Sequence, residues 1–159
     1  MSSSPQHSDG SHPQPHRVVS AHDGIIWRLG YFPDGRRVVT SSKDGTVKVW
    51  NLEDGEQEGT SMEHKSEIRS AVTRDGTKII SSDQDGEIRV WDVKSHELVK
   101  EWTHPESCPE IAISPDDQLI AVGARTVDGR ETGQLHQGRQ QGVVHVILSR
   151  RNETRMRHR

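Results

Sequence analysis

Eight residues have the types and spacing for chemistry: His22, Thr40, Asp44 and Trp50, and then His64, Ser81, Asp85 and Trp91. A histidine, a hydroxyl and a carboxylate can act together in acyl transfer, the histidine taking the hydroxyl proton and the carboxylate orienting the imidazole. The same three groups, joined by an indole N–H, can equally satisfy one another inside a sheet, where each buried polar atom needs a partner. Position separates the two readings. The set occurs twice, each copy includes a tryptophan, and no strand–turn–helix segment is present to expose a nucleophile. The sequence therefore predicts two structural tetrads and no catalytic residue. Thr40 is preferred over Ser42 as the first hydroxyl, because a shift of 41 residues carries Thr40 onto Ser81 but Ser42 onto Asp83.

That shift is the organising feature of the chain. Asp44 to Asn51 reads Asp-Gly-Thr-Val-Lys-Val-Trp-Asn, and Asp85 to Asp92 reads Asp-Gly-Glu-Ile-Arg-Val-Trp-Asp. Both alternate apolar and polar residues with period two, the pattern of a half-buried strand, and both open on the Asp-Gly pair that favours a tight hairpin. Upstream of each lie two further strand-like runs split by a turn. In the first unit these are Ile25 to Phe32 and Arg37 to Ser42 around Pro33-Asp34-Gly35; in the second, Ile68 to Thr73 and Lys78 to Asp83 around Arg74-Asp75-Gly76. Asn51 to Gly59 reads as a loop, and Glu97 to Trp102 as a further short strand. A third unit begins at His104 with Ile111 to Ile113, the turn Ser114-Pro115-Asp116-Asp117 and Leu119 to Gly123. It then breaks, for the shift from Asp85, Gly86 and Trp91 lands on Thr126, Val127 and Thr132. No helix-period stripe occurs.

These residues resemble the WD-repeat family of β-propellers, which pairs an initial Gly-His with a central turn of the Ser-Pro-Asp-Gly kind, a turn aspartate and a closing Trp-Asp about 40 residues on. Trp91-Asp92 matches outright and Trp50-Asn51 is a variant; Ala21, Glu63 and Thr103 replace the glycine before histidine. The resemblance covers residues 16–128, with repeats over 22–51, 64–92 and 104–128. It implies an all-β fold, an incomplete propeller of about three four-stranded antiparallel sheets, in which the segment around His16 to Ser20 is an outer strand. It implies a scaffold for protein partners, usually without catalysis; the residues themselves show no paired carboxylates, metal-ligand spacing or phosphate loop, so no cofactor and no metal is expected.

Composition sets the limits around that core. Hydrophobic residues are 29% and aromatics 4% of the 159 residues, which suits thin sheets rather than one large core. Residues 1–15 are Ser-, Pro- and His-rich and read as a disordered leader, whose His7 and His12, with the neighbouring His16, lack the fixed geometry a metal requires. Residues 129–159 are Gly-, Gln- and Arg-rich and read as a disordered tail. Residues 1–124 carry a net charge of −8, and residues 125–159 carry +5. The alternative reading is a nucleic-acid-associated protein using Arg150, Arg151, Arg155, Arg157 and Arg159. The acidic repeats and the lack of interleaved aromatics weigh against it. A truncated fragment with no independent function is the remaining alternative. A single cysteine, Cys108, permits no intramolecular disulfide and favours an intracellular setting, as a packed thiol rather than a nucleophile. No apolar stretch is long enough to span a bilayer.

With so few repeats, Val47, Val49, Ile79, Ile80, Ile88, Val90 and Ile113 are expected to face gaps at the ends of the array, which self-association could fill. Lys43, Lys48, Arg69 and Arg89 read as a solvated strand face with potential for partner contacts. Trp27, whose shifted counterpart is Ile68, reads as core.

Overall fold

Short alternating runs between turn signals give strands, and the described chain is built from them. The computed structural model describes residues 17–105, 107–126 and 141–148. Strands β1 (Ile26–Tyr31), β2 (Arg37–Ser42), β3 (Thr46–Asn51) and β4 (Gln57–Glu63) form one sheet in that order. Strands β5 (Ile68–Val72), β6 (Lys78–Asp83), β7 (Glu87–Asp92) and β8 (Leu98–Thr103) repeat it. Strands β9 (Ser107–Ile113), β10 (Leu119–Thr126) and β11 (Gln141–Leu148) form a third sheet. Every pairing is antiparallel.

The Asp-Gly pairs do more than reverse the chain. Gly45 and Gly86 adopt φ of 82° and 83°, a left-handed conformation that costs glycine little. Their carbonyls accept from the amides of His64 and His104, each at 2.8 Å. The hairpin of one unit thereby holds the histidine that opens the next. A side chain at Gly45 would also meet the His64 carbonyl oxygen at 2.9 Å.

Period-two alternation gives each sheet two faces. The front face carries the tryptophan and the hydroxyl: Val38, Thr40 and Trp50 in the first sheet, Ile79, Ser81 and Trp91 in the second. The back face of the first sheet carries Val39, Val47 and Val49, which pack with Phe32 and Met62 against Ile68, Ile79, Trp91 and Val93. The back face of the second sheet carries Ile80 and Ile88, which pack against Cys108, Ile111, Ile120 and Val122. Both junctions are therefore front to back.

Several expectations change. Val47, Val49, Ile79, Ile80 and Ile88 are buried, and Val90 and Ile113 are partly buried in the second cluster, rather than facing gaps. Three sheets make two sealed junctions, and among the described residues the outermost faces are open. Exposed apolar side chains cluster instead on β1, with Ile26 at 40%, Leu29 at 64% and Tyr31 at 73%, and others lie on β8 at Leu98 and Val99. Trp27 is exposed too, not core. A register shift between Ile26 and Arg28 takes it out of the alternation, and the Arg69 guanidinium lies 4.6 Å from its ring centroid. Strand β4 falls partly in the expected loop. Its sequence, Gln-Glu-Gly-Thr-Ser-Met-Glu, buries only Met62 fully, so pairing to β3 rather than hydrophobicity makes it a strand.

Residues 17–20 are not a strand. Arg17 instead donates to the carbonyls of Asp54 and Glu53. The tail expectation also needs correction, because Gln141–Leu148 pairs along β10 from Leu119↔Leu148 to Thr126↔Gln141. The apolar run Val143 to Leu148 is long enough to ladder against the exposed edge of β10, and β10 extends beyond Gly123 to meet it. The rest of that tail, including Arg150, Arg151, Arg155, Arg157 and Arg159, and the leader 1–15 lie outside the described residues.

Ile88, fully buried at the second junction, and Leu98, 42% exposed on β8, provide a direct test of this packing. Ile88→Ala is expected to lower the unfolding free energy by about 2–4 kcal/mol and Leu98→Ala by less than about 1 kcal/mol, measured by urea denaturation.

Candidate functional site

The structure brings His22, Thr40, Asp44 and Trp50 together. Thr40 sits mid-strand on β2, Trp50 near the end of β3, Asp44 in the β2–β3 turn and His22 on the segment before β1. His22 Nε2 lies 2.6 Å from Thr40 Oγ1, and Trp50 Nε1 donates to the same oxygen at 2.9 Å. A hydroxyl has one proton to give, so Thr40 donates to the imidazole and accepts from the indole. His22 Nδ1 then carries the proton and donates to Asp44 Oδ2 at 3.0 Å, shared with Thr46 Oγ1 at 2.9 Å. Asp44 also accepts from the amides of Asp23 and Thr46 and from the Thr46 hydroxyl.

The second relay differs in one member. His64 Nε2 lies 2.6 Å from Ser81 Oγ, which accepts from Trp91 Nε1 at 2.8 Å. His64 Nδ1 donates at 3.1 Å to Asp83, not to Asp85. Asp83 Oδ1 accepts the amides of Asp85 and Glu87, and the residue is fully buried, while Asp85 is exposed in the turn. The 41-residue shift placed the carboxylate at Asp85 because the first unit has serine at the position of Asp83. Period two supplies the missed signal: Asp83 lies two residues from Ser81 and so on the same face of β6. In the third sheet, the shift from Ser81 reaches Val122, buried and without a hydroxyl, so no relay can form there.

The electrostatics follow from the partners. Burial pushes the His22 pKa below its ordinary value, against the pull of Asp44, so the ring is neutral and its bond to Asp44 is not an ion pair at neutral pH. For Asp44, burial acts to raise the pKa, but the hydroxyl and amide of Thr46 and the nearby His22 outweigh it and hold the carboxyl at about 2. Asp83 is likewise lowered, its burial outweighed by the bond from His64 and the amides of Glu87 and Asp85.

Nothing in this geometry frees a nucleophile. Each hydroxyl donates to a histidine and accepts from an indole, and the second set is sealed between two sheets. His64, Asp83 and Glu87 also have donor atoms within 4.8 Å of one another, close enough for a cation. Those atoms are already committed: the imidazole N–H and two amides go to Asp83, and Arg89 Nη2 lies 2.8 Å from Glu87 Oε2. The cationic side chains of the strand faces are similarly engaged. Lys48 donates to the Ala21 carbonyl and Arg89 to that of Glu63, while Lys43 pairs with Glu67 and Arg69 with Glu110. Cys108 is buried in the second apolar cluster.

Two sheets, each closed by a Trp–hydroxyl–His–Asp relay, match a known sequence family. The family described as WD domain, G-beta repeat covers residues 13–51 and 55–92, which hold strands β1 to β7. This chain belongs to the WD-repeat family. Human WD repeat-containing protein 86 is 38% identical over 52 residues, 33% of this chain and 14% of its own length. The 26S proteasome regulatory subunit RPN14 of Saccharomyces cerevisiae is 31% identical over 51 residues, 32% of this chain and 12% of its own. The eukaryotic translation initiation factor 3 subunit I of Aspergillus terreus is 30% identical over 107 residues, 66% of this chain and 32% of its own. The chain thus spans between 12 and 32% of the length of these relatives. WD-repeat proteins are generally interaction scaffolds and typically non-catalytic. The match ends at Asp92, so the third sheet, with its β11 drawn from beyond a long connection, lies outside the matched repeats.

The two aspartates of the second WD repeat have opposite expected roles. Asp83→Asn turns one carboxylate oxygen into an amide that faces existing donors and should cost about 2–3 kcal/mol of stability, while Asp85→Asn should stay within about 0.5 kcal/mol, both read by thermal and urea unfolding. The pH dependence has one sign. His22, lowered from 6.5, contributes fully above that pH and progressively less below it. Asp44, lowered from 3.8, contributes fully above that value, and its contribution is lost as the pH falls through about 2. Stability should therefore decline steadily on acidification, and Asp44→Asn should flatten the portion between pH 3.8 and about 2 in melts taken across a pH series.

Proposed function

We propose that this WD-repeat chain is a non-catalytic module that binds protein partners. The observation that carries this reading is the mutual saturation of the two relays, which leaves their histidines, hydroxyls and carboxylates holding strands together rather than facing a substrate. Two of the relatives are by name subunits of larger assemblies, which supports a partner-binding role. A rim cleft of about 800 Å³ runs between the first two sheets, lined among others by Arg37, Asp75, Lys78, Asp92, Lys94 and His96. Its mixture of charges suits a polar protein segment carrying both signs, for which complementary charge gives specificity more than affinity.

Lys94 and Thr77 are exposed on this cleft, so substitutions there leave the apolar junctions intact. Proteins retained by the immobilised wild-type chain from extracts of its own cells should fall at least about tenfold with the Lys94→Glu, Thr77→Arg double variant, whose melting should be unchanged. Equal recovery by both chains would refute the cleft as the binding surface.

A further inference from the structure

We propose that a second copy of this chain covers both open ends of the array, the front face of the first sheet in each copy meeting the back face of the third sheet in the other, so that two copies close a six-sheet ring. This builds on the reading of the chain as an interaction module and names a partner for its end faces.

The internal junctions say what covers each kind of face. Between the first and second sheets, and again between the second and third, a back face meets a front face. The described residues leave one uncovered face of each kind, at opposite ends. The open front face is apolar: Ile26, Leu29 and Tyr31 are exposed, and Val19, Ile26, Leu29, Val38, Thr40 and Trp50 line a groove of about 280 Å³ on it.

Side-chain size is adjusted at the two ends in opposite directions. On the front face, the strand pairings place Ser70 and Val72 of the second sheet where the first has Leu29 and Tyr31. The open front face therefore projects further than the covered one. On the back face, Gly30, Val39 and Ser41 of the first sheet correspond to Ala71, Ile80 and Ser82 of the second and to Ala112, Ala121 and Gly123 of the third. At the open end a buried Val39 or Ile80 has become Ala121, and Ser41 or Ser82 has become Gly123. Ala112 beside them is exposed. A bulkier front and a hollower back are complementary, and close packing at an interface demands such a match.

Unlike surfaces meeting head to tail form a ring only if the rotation closes, and an open filament otherwise. Three sheets from each of two copies make six, within the roughly four to eight blades of propellers. Closure also seals the first relay. Trp50 and Thr40, now bordering the open groove, would occupy the setting that Trp91 and Ser81 have beneath the first sheet.

Sedimentation velocity and light scattering on the full chain test the proposal. The expected mass is twice the 17.9 kDa of one chain at micromolar concentration. Leu29→Glu and Ala121→Arg should each raise the dimer dissociation constant by about 100-fold or more, since each places a charge in an apolar junction. Mixing the two variants should restore a dimer, because one intact front then meets one intact back. A wild-type chain that stays monomeric overturns the proposal without the use of any variant. So does an Ala121→Arg chain that still dimerises, which would indicate front-to-front pairing, or open-ended growth of the wild type, or a mixture that fails to associate. A monomer would leave the rim cleft and its partner-binding experiment unaffected, so the two readings fail separately.

Discussion

The bond from an indole N–H to a buried hydroxyl, and onward through histidine to a carboxylate, is what the rest of this structure depends on. In the second sheet it runs from Trp91 through Ser81 and His64 to Asp83, joining two strands and the segment that enters the sheet, while Asp83 also holds the amide of Asp85 in the turn. Each member would be costly to bury alone, and together they leave no donor of the relay without an acceptor. The relay also fixes the tautomer of the histidine, and with it the placement of the chain before β5. Because Gly45 holds the His64 amide from the preceding hairpin, the position of one sheet is transmitted to the next.

The apolar junctions then do what the relay permits. Trp91 belongs to both systems: its N–H serves the relay, and its ring packs with Ile68, Ile79 and Val93 against Val39, Val47 and Val49. The hydroxyl–histidine–carboxylate pattern that invites a catalytic reading is thus part of the packing. The third sheet shows the alternative. With Val122 at the hydroxyl position it is assembled by hydrophobic contact with Ile80 and Ile88, and its third strand comes from a segment unrelated to the repeat pattern. A ladder edge and an apolar run suffice for that pairing, whereas a relay needs four particular residues.

The inner strands add a longer-range tie. Arg28, Arg69 and Glu110 are equivalent positions on β1, β5 and β9, and both arginines reach the one carboxylate. Arg28 also donates to the Ile111 carbonyl, linking the first sheet to the third. Arg28 and Glu110 are exposed, and across such a pair the energetic contribution is small. The geometric one is that three sheets share a common inner edge, with Trp27 lying against Arg69 beside it.

Much of this was legible in the linear sequence. The repeat, the strand order of each unit, the turn glycines and seven of the eight relay residues follow from local rules, because turn chemistry and period-two alternation depend on near neighbours alone. Asp83 was visible only as a position two residues from Ser81, and translating one repeat onto the other concealed it. Strand β4 was hidden because its polar residues gain their structure from the edge of β3. The exposure of Trp27 follows from a bulge between Ile26 and Arg28 that no spacing announces. Strand β11 was hidden for a related reason, since a strand drawn from distant sequence is chosen by whichever ladder edge is left open. The sequence by itself determined which residues reverse, alternate and pair within a repeat. Which faces are covered, which carboxylate closes the second relay and what completes the third sheet were decided by tertiary structure, because each depends on contacts between segments far apart in the chain.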